Sequence, residues 1–161
     1  MHKTPLIITL LSAIIAINAT SVEFGNCKSE FELHEVHVDP CEGSSSVCPL
    51  KRGTSPKLSL VFTPSREVKD VRAFVFGIIN GVPMPFKLEQ PNACEGSNIT
   101  CPLQPGQKYY YSQTVSVLPA YPKMPVIVKW ALREKQTGDR TKGKKANPIA
   151  CAMIRTNIVD A

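Results

Sequence analysis

The stretch that decides the fold is GIINGVPMPF, residues 77–86. Its second half carries proline at alternate positions, Pro83 and Pro85, so one side of an extended strand lacks backbone N–H donors and cannot pair fully with a neighbour. Three apolar side chains share the other parity and can project onto one face: Val82, Met84 and Phe86. Two interpretations stay open, a protected edge strand and a strand that lets two sheets separate and lines the gap between them.

A second irregular segment surrounds Tyr121. Val115 and Val117 have the same parity and can face inward together. Pro119 and Pro122 then interrupt any strand ladder and hold Tyr121 in an extended loop. A tyrosine between two prolines suits the rim of an apolar site, because its ring can contact apolar surface while its hydroxyl stays in water.

The rest of the chain alternates apolar and polar residues in short runs. The clearest runs are residues 58–63, 71–79, 126–133 and 152–158, and clusters of Pro, Gly, Asn and Ser bound them. No segment of helical length shows a 3.6-residue period. The pattern predicts an all-β sandwich of about seven short strands.

The N-terminus predicts secretion. A basic start, an apolar run of about 12 residues and small residues near Ala19 indicate a signal peptide at residues 1–19. The run is shorter than the roughly 20 residues that a membrane-spanning helix needs. Residues 20–161 are then a single domain, with 43% apolar and 20% charged residues in the whole chain and a net charge of +6. This charge is compatible with an anionic partner but does not require one.

Six cysteines in an oxidising compartment predict three disulfides. Fifteen pairings are open. The spacing favours two local pairs, Cys41 with Cys48 and Cys94 with Cys101, which leaves Cys27 with Cys151. Asn98-Ile99-Thr100 is a glycosylation sequon inside the second local loop, where a surface position is expected.

The sequence favours neither catalysis nor nucleic-acid binding. The predicted mature chain has two histidines, His34 and His37, and no nucleophile or metal-ligand motif. No cofactor and no metal site are therefore predicted, although a scattered hydrolase triad stays open as an alternative. Secretion and the absence of interleaved basic and aromatic residues argue against a nucleic-acid partner.

These features together resemble the ML lipid-recognition family, which includes the Niemann-Pick type C2 proteins and the group 2 mite allergens. The resemblance rests on the six-cysteine framework, the stretch 77–86 within it, Cys101-Pro102, Tyr121-Pro122 and the run 126–130, and it covers essentially the whole mature chain. It implies an immunoglobulin-like sandwich of two antiparallel sheets that enclose one apolar cavity. It also implies the pairing Cys27–Cys151, Cys41–Cys48 and Cys94–Cys101.

The resemblance implies a binding site as well. The family's entrance residues correspond here to Phe86, Val117 and Tyr121. The deeper lining corresponds to six positions: Val38, Leu50, Met84, Val115, Met124 and Trp130. Met84, Ser116 and Ala152 depart from the vertebrate members, which have Val, Pro and Trp there. The loss of a Trp volume at Ala152 is expected to enlarge or reshape the cavity, and Pro125 to interrupt the strand that leads to Trp130.

The expected function is that of a secreted, monomeric lipid carrier without enzymatic activity. One sterol such as cholesterol, or a fatty acid or semiochemical-like lipid, would lie between the sheets, and the lysosomal lumen is a further destination that the resemblance implies. The alternative is a secreted immune or signalling module that recognises bacterial lipid or a protein partner. The basic tract from Lys129 to Lys145 is either a solvated loop or a docking patch for an anionic membrane or a membrane lipid-transfer partner.

Overall fold

The computed structural model describes residues 20–135 and 146–161. The predicted signal peptide and residues 136–145 of the basic tract lie outside the described residues. The ten strands are β1 (Thr20–Ser21), β2 (Gly25–Asn26), β3 (Glu32–Asp39), β4 (Cys48–Lys51), β5 (Lys57–Thr63), β6 (Val71–Ile79), β7 (Val82–Phe86), β8 (Tyr109–Thr114), β9 (Pro125–Glu134) and β10 (Ala150–Val159).

The strands form two sheets. A four-stranded sheet has the order β1-β3-β5-β8, and a six-stranded sheet has the order β2-β10-β9-β6-β7, with β4 added to β10. Every pairing is antiparallel except β4 with β10, which is parallel. The predicted all-β sandwich is confirmed. The predicted number of about seven strands is too low, because the two-residue strands β1 and β2 and the short β4 are too brief to show alternation.

The decisive stretch forms the β6–β7 hairpin. Asn80 and Gly81 make its two-residue turn with φ of 51° and 81°, the left-handed values of a type I′ turn. The turn sets the register in which Phe86 lies opposite Val75. Among the described residues, β7 is the outer strand of its sheet and pairs only with β6. β7 is therefore an edge strand, and the donor-free side of the two prolines faces away from β6.

Alternation along the central strands builds the core between the sheets. In β10, every second side chain from Ala150 to Ile158 is buried. Pro125 is the first residue of β9, so it does not interrupt that strand, since a first residue needs no ladder donor. The buried residues fall into a large cluster that includes Trp130 and a small one formed by Val117, Val126 and Ile158. The core is therefore not continuous.

Three disulfides join the cysteines in the pairs that the resemblance implies: Cys27–Cys151, Cys41–Cys48 and Cys94–Cys101. Cys27–Cys151 links the chain after β2 to β10 within one sheet. Cys41–Cys48 joins the chain after β3 to β4 and so connects the two sheets. The described residues contain no helix that is long and apolar enough to cross a bilayer.

Candidate ligand cavity between the sheets

An apolar cavity lies where the two parts of the core fail to meet. Val38 and Leu58 line it from the four-stranded sheet, and Trp130 and Ile154 line it from the other sheet. A water-sized molecule can reach about 60 Å³ of the cavity. The whole empty space between the lining atoms, including solvent at the opening, is about 630 Å³. The first volume holds only a few water molecules. The accessible space of the cavity is thus narrow.

Two aromatic rings stand at the mouth. The rings of Phe86 and Tyr121 meet edge to face, with centroids 5.5 Å apart and planes at 88°. Phe86 can lie there because residue 77 is glycine. A Cβ on Gly77 would stand 2.6 Å from Cε2 of Phe86 and 3.2 Å from Cγ1 of Val126. The glycine therefore provides the space that the Phe86 ring occupies.

Backbone hydrogen bonds hold the segment that carries Tyr121. The N–H of Gly53 donates to the carbonyl oxygen of Val117 at 2.6 Å, and the N–H of Val117 donates to that of Thr54 at 2.9 Å. Further along, the N–H of Ile158 donates to the carbonyl oxygen of Met124 at 3.0 Å. The segment from Val115 to Met124, called the mouth segment below, is thus fixed to β10 and to the turn after β4.

Charged side chains hold the same segment on its outer side. A guanidinium N–H of Arg52 donates to the carbonyl oxygen of Tyr121 at 3.4 Å. Arg52 also pairs with Asp160, whose second carboxylate oxygen accepts from Lys123 at 2.8 Å. These contacts, first with Lys123 and then with Arg52, hold the pKa of Asp160 below its usual value. Asp160 therefore stays ionised at mildly acidic pH.

The cavity wall offers few polar groups. The hydroxyl of Thr156 is occupied, since it donates to the carbonyl oxygen of Val126 at 2.8 Å. The indole N–H of Trp130 is buried and has no acceptor among the described residues. Behind Trp130, the ring of Tyr111 packs at 6.0 Å, and burial raises the pKa of the Tyr111 hydroxyl above its ordinary value. Apart from the exposed Lys57 and Ser116 at its ends, this wall therefore offers a ligand desolvation and not charge pairing.

The structure brings together seven of the nine predicted binding residues around this cavity. They are Val38, Leu50, Phe86, Val115, Val117, Tyr121 and Trp130. Met84 and Met124 do not line it. Met124 packs beside the small buried cluster. Met84 has the same parity as Phe86, but it lies nearer the β6–β7 turn on the edge strand β7, and it is 51% exposed.

Ten lining residues were not predicted as site residues. They are Pro56, Lys57, Leu58, Val75, Ser116, Val126, Val128, Ile154, Thr156 and Ile158. The alternation along β9 and β10 places Val126, Val128, Ile154 and Ile158 on the inner face, and that signal could have identified them. For Lys57 and Ser116, which lie at exposed ends of the wall, alternation carries no such signal.

The two histidines have different side-chain partners. His34 shares a hydrogen bond with the hydroxyl of Thr63 at 2.8 Å, and His37 contacts the carboxylate of Glu35 at the same distance. Neither lines the cavity. Within residues 20–135 and 146–161, no three metal-ligating side chains come together.

Asn98 is exposed, and its side-chain amide donates to the carbonyl oxygen of Tyr110 at 3.1 Å. The position is accessible for the predicted glycan. From the basic tract, the structure describes Lys129, Arg133 and Lys135, whereas Arg140, Lys142, Lys144 and Lys145 lie outside the described residues. Lys135 pairs with Asp70 at 3.5 Å, and Arg133 donates to the carbonyl oxygen of Ala146 at 2.9 Å.

The fold and the cavity define a class: disulfide-linked β-sandwich proteins with an apolar cavity between the two sheets. A family model described as the ML domain matches residues 21–157. A fruit-fly relative (Drosophila melanogaster), the NPC intracellular cholesterol transporter 2 homolog a, is 35% identical over 128 residues, 79% of this chain and 86% of the relative. The chain therefore belongs to the ML domain family.

Two solved structures resemble this one. The crystal structure of a Niemann-Pick type C2 protein from Japanese carpenter ant superposes with a TM-score of 0.72 and 29% identity, over 85% of this chain and 99% of that chain. The crystal structure of chicken MD-1 complexed with lipid IVa superposes with a TM-score of 0.51 and 18% identity, over 83% of this chain and 87% of that chain. The second likeness concerns the fold alone.

Proposed function

We propose that this protein binds one lipid, a sterol or a long-chain fatty acid, in the cavity between its sheets and carries it through an aqueous compartment outside the cytosol. The observation that supports this most directly is the apolar cavity itself, which interrupts the core and opens at the aromatic pair of Phe86 and Tyr121. The relative from fruit fly is named as a cholesterol transporter, which agrees with a lipid ligand.

Desolvation drives the binding. Burying about 400 Å² of apolar ligand surface at about 25 cal/mol per Å² stabilises the complex by a gross amount of about 10 kcal/mol, from which the lost rigid-body freedom must be subtracted. Because the cavity holds only a few water molecules, the two sheets and the mouth side chains must separate when a lipid enters. Phe86 and Tyr121 are half-buried and in edge-to-face contact, so this contact must open if a lipid passes between the two rings.

Lipid transfer requires contact with a membrane or a membrane lipid-transfer partner. Three apolar side chains near the mouth are largely exposed: Val82, Met84 and Leu118, with exposed fractions of 57%, 51% and 48%. A rim of this kind can touch the headgroup region while the ligand passes. The alternative of an immune recogniser of bacterial lipid is supported by the fold alone.

Direct binding tests the proposal. Dehydroergosterol, a fluorescent sterol, is titrated into the purified protein, and oleate is added as a competitor; we expect at least one to bind with a micromolar or lower Kd. Val117→Phe fills the cavity wall and is expected to weaken binding about tenfold or more. Val47→Phe is the matched control, since Val47 is exposed and does not line the cavity.

A second variant keeps the proposal testable if Val117→Phe does not fold. Phe86→Ala removes a mouth ring and should change the affinity while the circular dichroism spectrum stays that of the wild type. With anionic vesicles as acceptors, the same fluorescence reports transfer. A folded wild-type protein that takes up neither sterol nor oleate would refute the proposal.

A further inference from the structure

A larger depression, lined by both polar and apolar side chains, adjoins the cavity and is called the side groove here. It has a volume of about 640 Å³ and lies between the chain that follows β7 and strand β8. Five residues belong to both walls: Lys57, Phe86, Val115, Ser116 and Tyr121. The side groove and the cavity are thus neighbouring compartments separated by the mouth residues.

The two compartments differ in chemistry. The cavity wall is almost entirely apolar, whereas carboxylate, amide and hydroxyl side chains line the side groove: Glu89, Gln90, Ser112, Gln113 and Thr114. A wholly apolar ligand cannot form hydrogen bonds with these side chains. A molecule that extends from one compartment into the other is an amphiphile, with its chain in the cavity and its head in the side groove.

The charges of the side groove favour a negative head. Lys57 and Lys87 are both exposed in its wall, and neither forms an ion pair with any described residue. Asp39 lies opposite Lys57 across the β3–β5 ladder but does not pair with it. Among the described residues, one acidic side chain, Glu89, lines this wall. The two lysines outnumber it, and Lys57 stands where the two compartments meet.

The shape of the side groove is fixed by the protein's own hydrogen bonds. The amide of Gln113 donates to the carbonyl oxygen of Gln90, and the hydroxyl of Tyr111 donates to the side-chain oxygen of Gln113. The N–H of Ser112 donates to the carbonyl oxygen of Ser97 at 2.9 Å. The loop between β7 and β8 is therefore fixed against β8, and little ordering is needed when a head group binds.

We propose that the side groove binds the head group of a single-chain anionic amphiphile whose tail lies in the cavity, and that Lys57 and Lys87 select the negative charge. The proposal rests on the proposed function, because it needs the tail in the cavity. A carboxylate and a phosphate share the chemistry that the lysines recognise, and they correspond to a fatty acid and a lysophospholipid. Neither lysine is required for the tail to bind.

Matched ligand pairs test the proposal. Dissociation constants are measured at pH 8 and below the critical micelle concentrations for oleate against oleyl alcohol, and for 1-oleoyl-lysophosphatidate against 1-oleoylglycerol. Each pair has the same chain and differs mainly in the charge of its head. We expect the wild type to prefer each anion, Lys57→Gln and Lys87→Gln each to reduce that preference about two- to fivefold, and the double variant to reduce it further. Raising the salt concentration should also reduce it.

Two further variants locate the effect. Lys69→Gln is the charge control, because Lys69 is exposed and lines neither compartment, and it should leave the preference unchanged. Thr114→Trp fills the side groove but not the cavity, so it should weaken lysophosphatidate binding and spare oleyl alcohol. The relative size of the effect for carboxylate and phosphate shows which of the two heads fits better.

The outcomes separate this proposal from the proposed function. If the wild type binds each alcohol and its anionic partner equally well, or if Lys69→Gln changes the preference as much as the double variant does, the side-groove proposal is wrong while lipid carriage stands. If the wild type binds none of the four ligands and no sterol, the cavity proposal fails and this one fails with it.

Discussion

Gly77 shows how one missing side chain shapes the site. The space beside its Cα is filled by the ring of Phe86, which the Asn80-Gly81 turn places on the same face. Glycine usually weakens a strand, because it has no side chain to pack and more conformational freedom to lose. Here the close approach of Phe86 to the backbone offsets that weakness. The mouth of the cavity therefore depends on two residues that lie nine positions apart.

Gly77→Ala is expected to destabilise the protein by about 1–3 kcal/mol, because the added methyl group and the Phe86 ring cannot occupy the same space. In the Phe86→Ala background, the same substitution should be much less destabilising. Urea unfolding of the two single variants and the double variant measures this coupling. Additive effects in this cycle would contradict the assigned contact.

At the scale of elements, the mouth segment depends on a three-membered charge network. Asp160 connects Lys123, which belongs to the segment, with Arg52, which holds the carbonyl oxygen of Tyr121. Exposed ion pairs are individually weak, so we expect the network to affect the motion of the segment and not to determine the fold. Asp160→Asn should raise the rate at which bound lipid dissociates by about two- to fivefold.

Stopped-flow release of dehydroergosterol measures this rate. Because the pKa of Asp160 is lowered in the folded protein, the network's contribution is present above the ordinary aspartate pKa and is lost only as the pH falls through the lowered value. Release should therefore stay slow from neutral to mildly acidic pH, and high salt should accelerate it in the wild type but not in Asp160→Asn. Asp70→Asn, which breaks the pair with Lys135, is the control. Equal rates and equal salt dependence in the wild type and Asp160→Asn would contradict the assignment.

Most of the sheet structure could be predicted from side-chain alternation. β5, β6, β9 and β10 are long enough for several apolar residues to mark one face, and each appears close to its predicted position. The strands β1, β2 and β4 are too short to carry a period. The Asn80-Gly81 dipeptide was a further signal, because it is typical of a two-residue hairpin.

The candidate site was less predictable than the sheets. Parity identifies the face of a strand on which a side chain lies, but it does not show whether another element covers that face. Met84 and Phe86 have equal parity, yet Phe86 lines the cavity and Met84 is largely exposed. The side groove could not be predicted either, since it forms between residues far apart in the chain.

At the scale of the whole molecule, the disulfides contribute unequally to stability. Cys27 and Cys151 are separated by 124 positions, and Cys41 and Cys48 by seven. In the loop-entropy account, the longer closure stabilises by about 5 kcal/mol and the shorter by about 2.5 kcal/mol. Cys27→Ala with Cys151→Ala should therefore lower the unfolding free energy about twice as much as Cys41→Ala with Cys48→Ala, as measured by guanidinium unfolding. A larger loss from the short loop would contradict this account.

The placement of these bonds has a mechanical consequence. Among the described residues, one disulfide, Cys41–Cys48, ties the two sheets together, and it lies on the β3–β4 side. At the opposite side, hydrogen bonds join β8 to the chain that follows β7, and no disulfide among the described residues links the two sheets there. The two sheets are thus covalently joined on the β3–β4 side and are not covalently joined on the β7–β8 side among the described residues. We expect the distance between the sheets to increase on the β7–β8 side when a bulky ligand enters, while the distance at the Cys41–Cys48 disulfide stays the same.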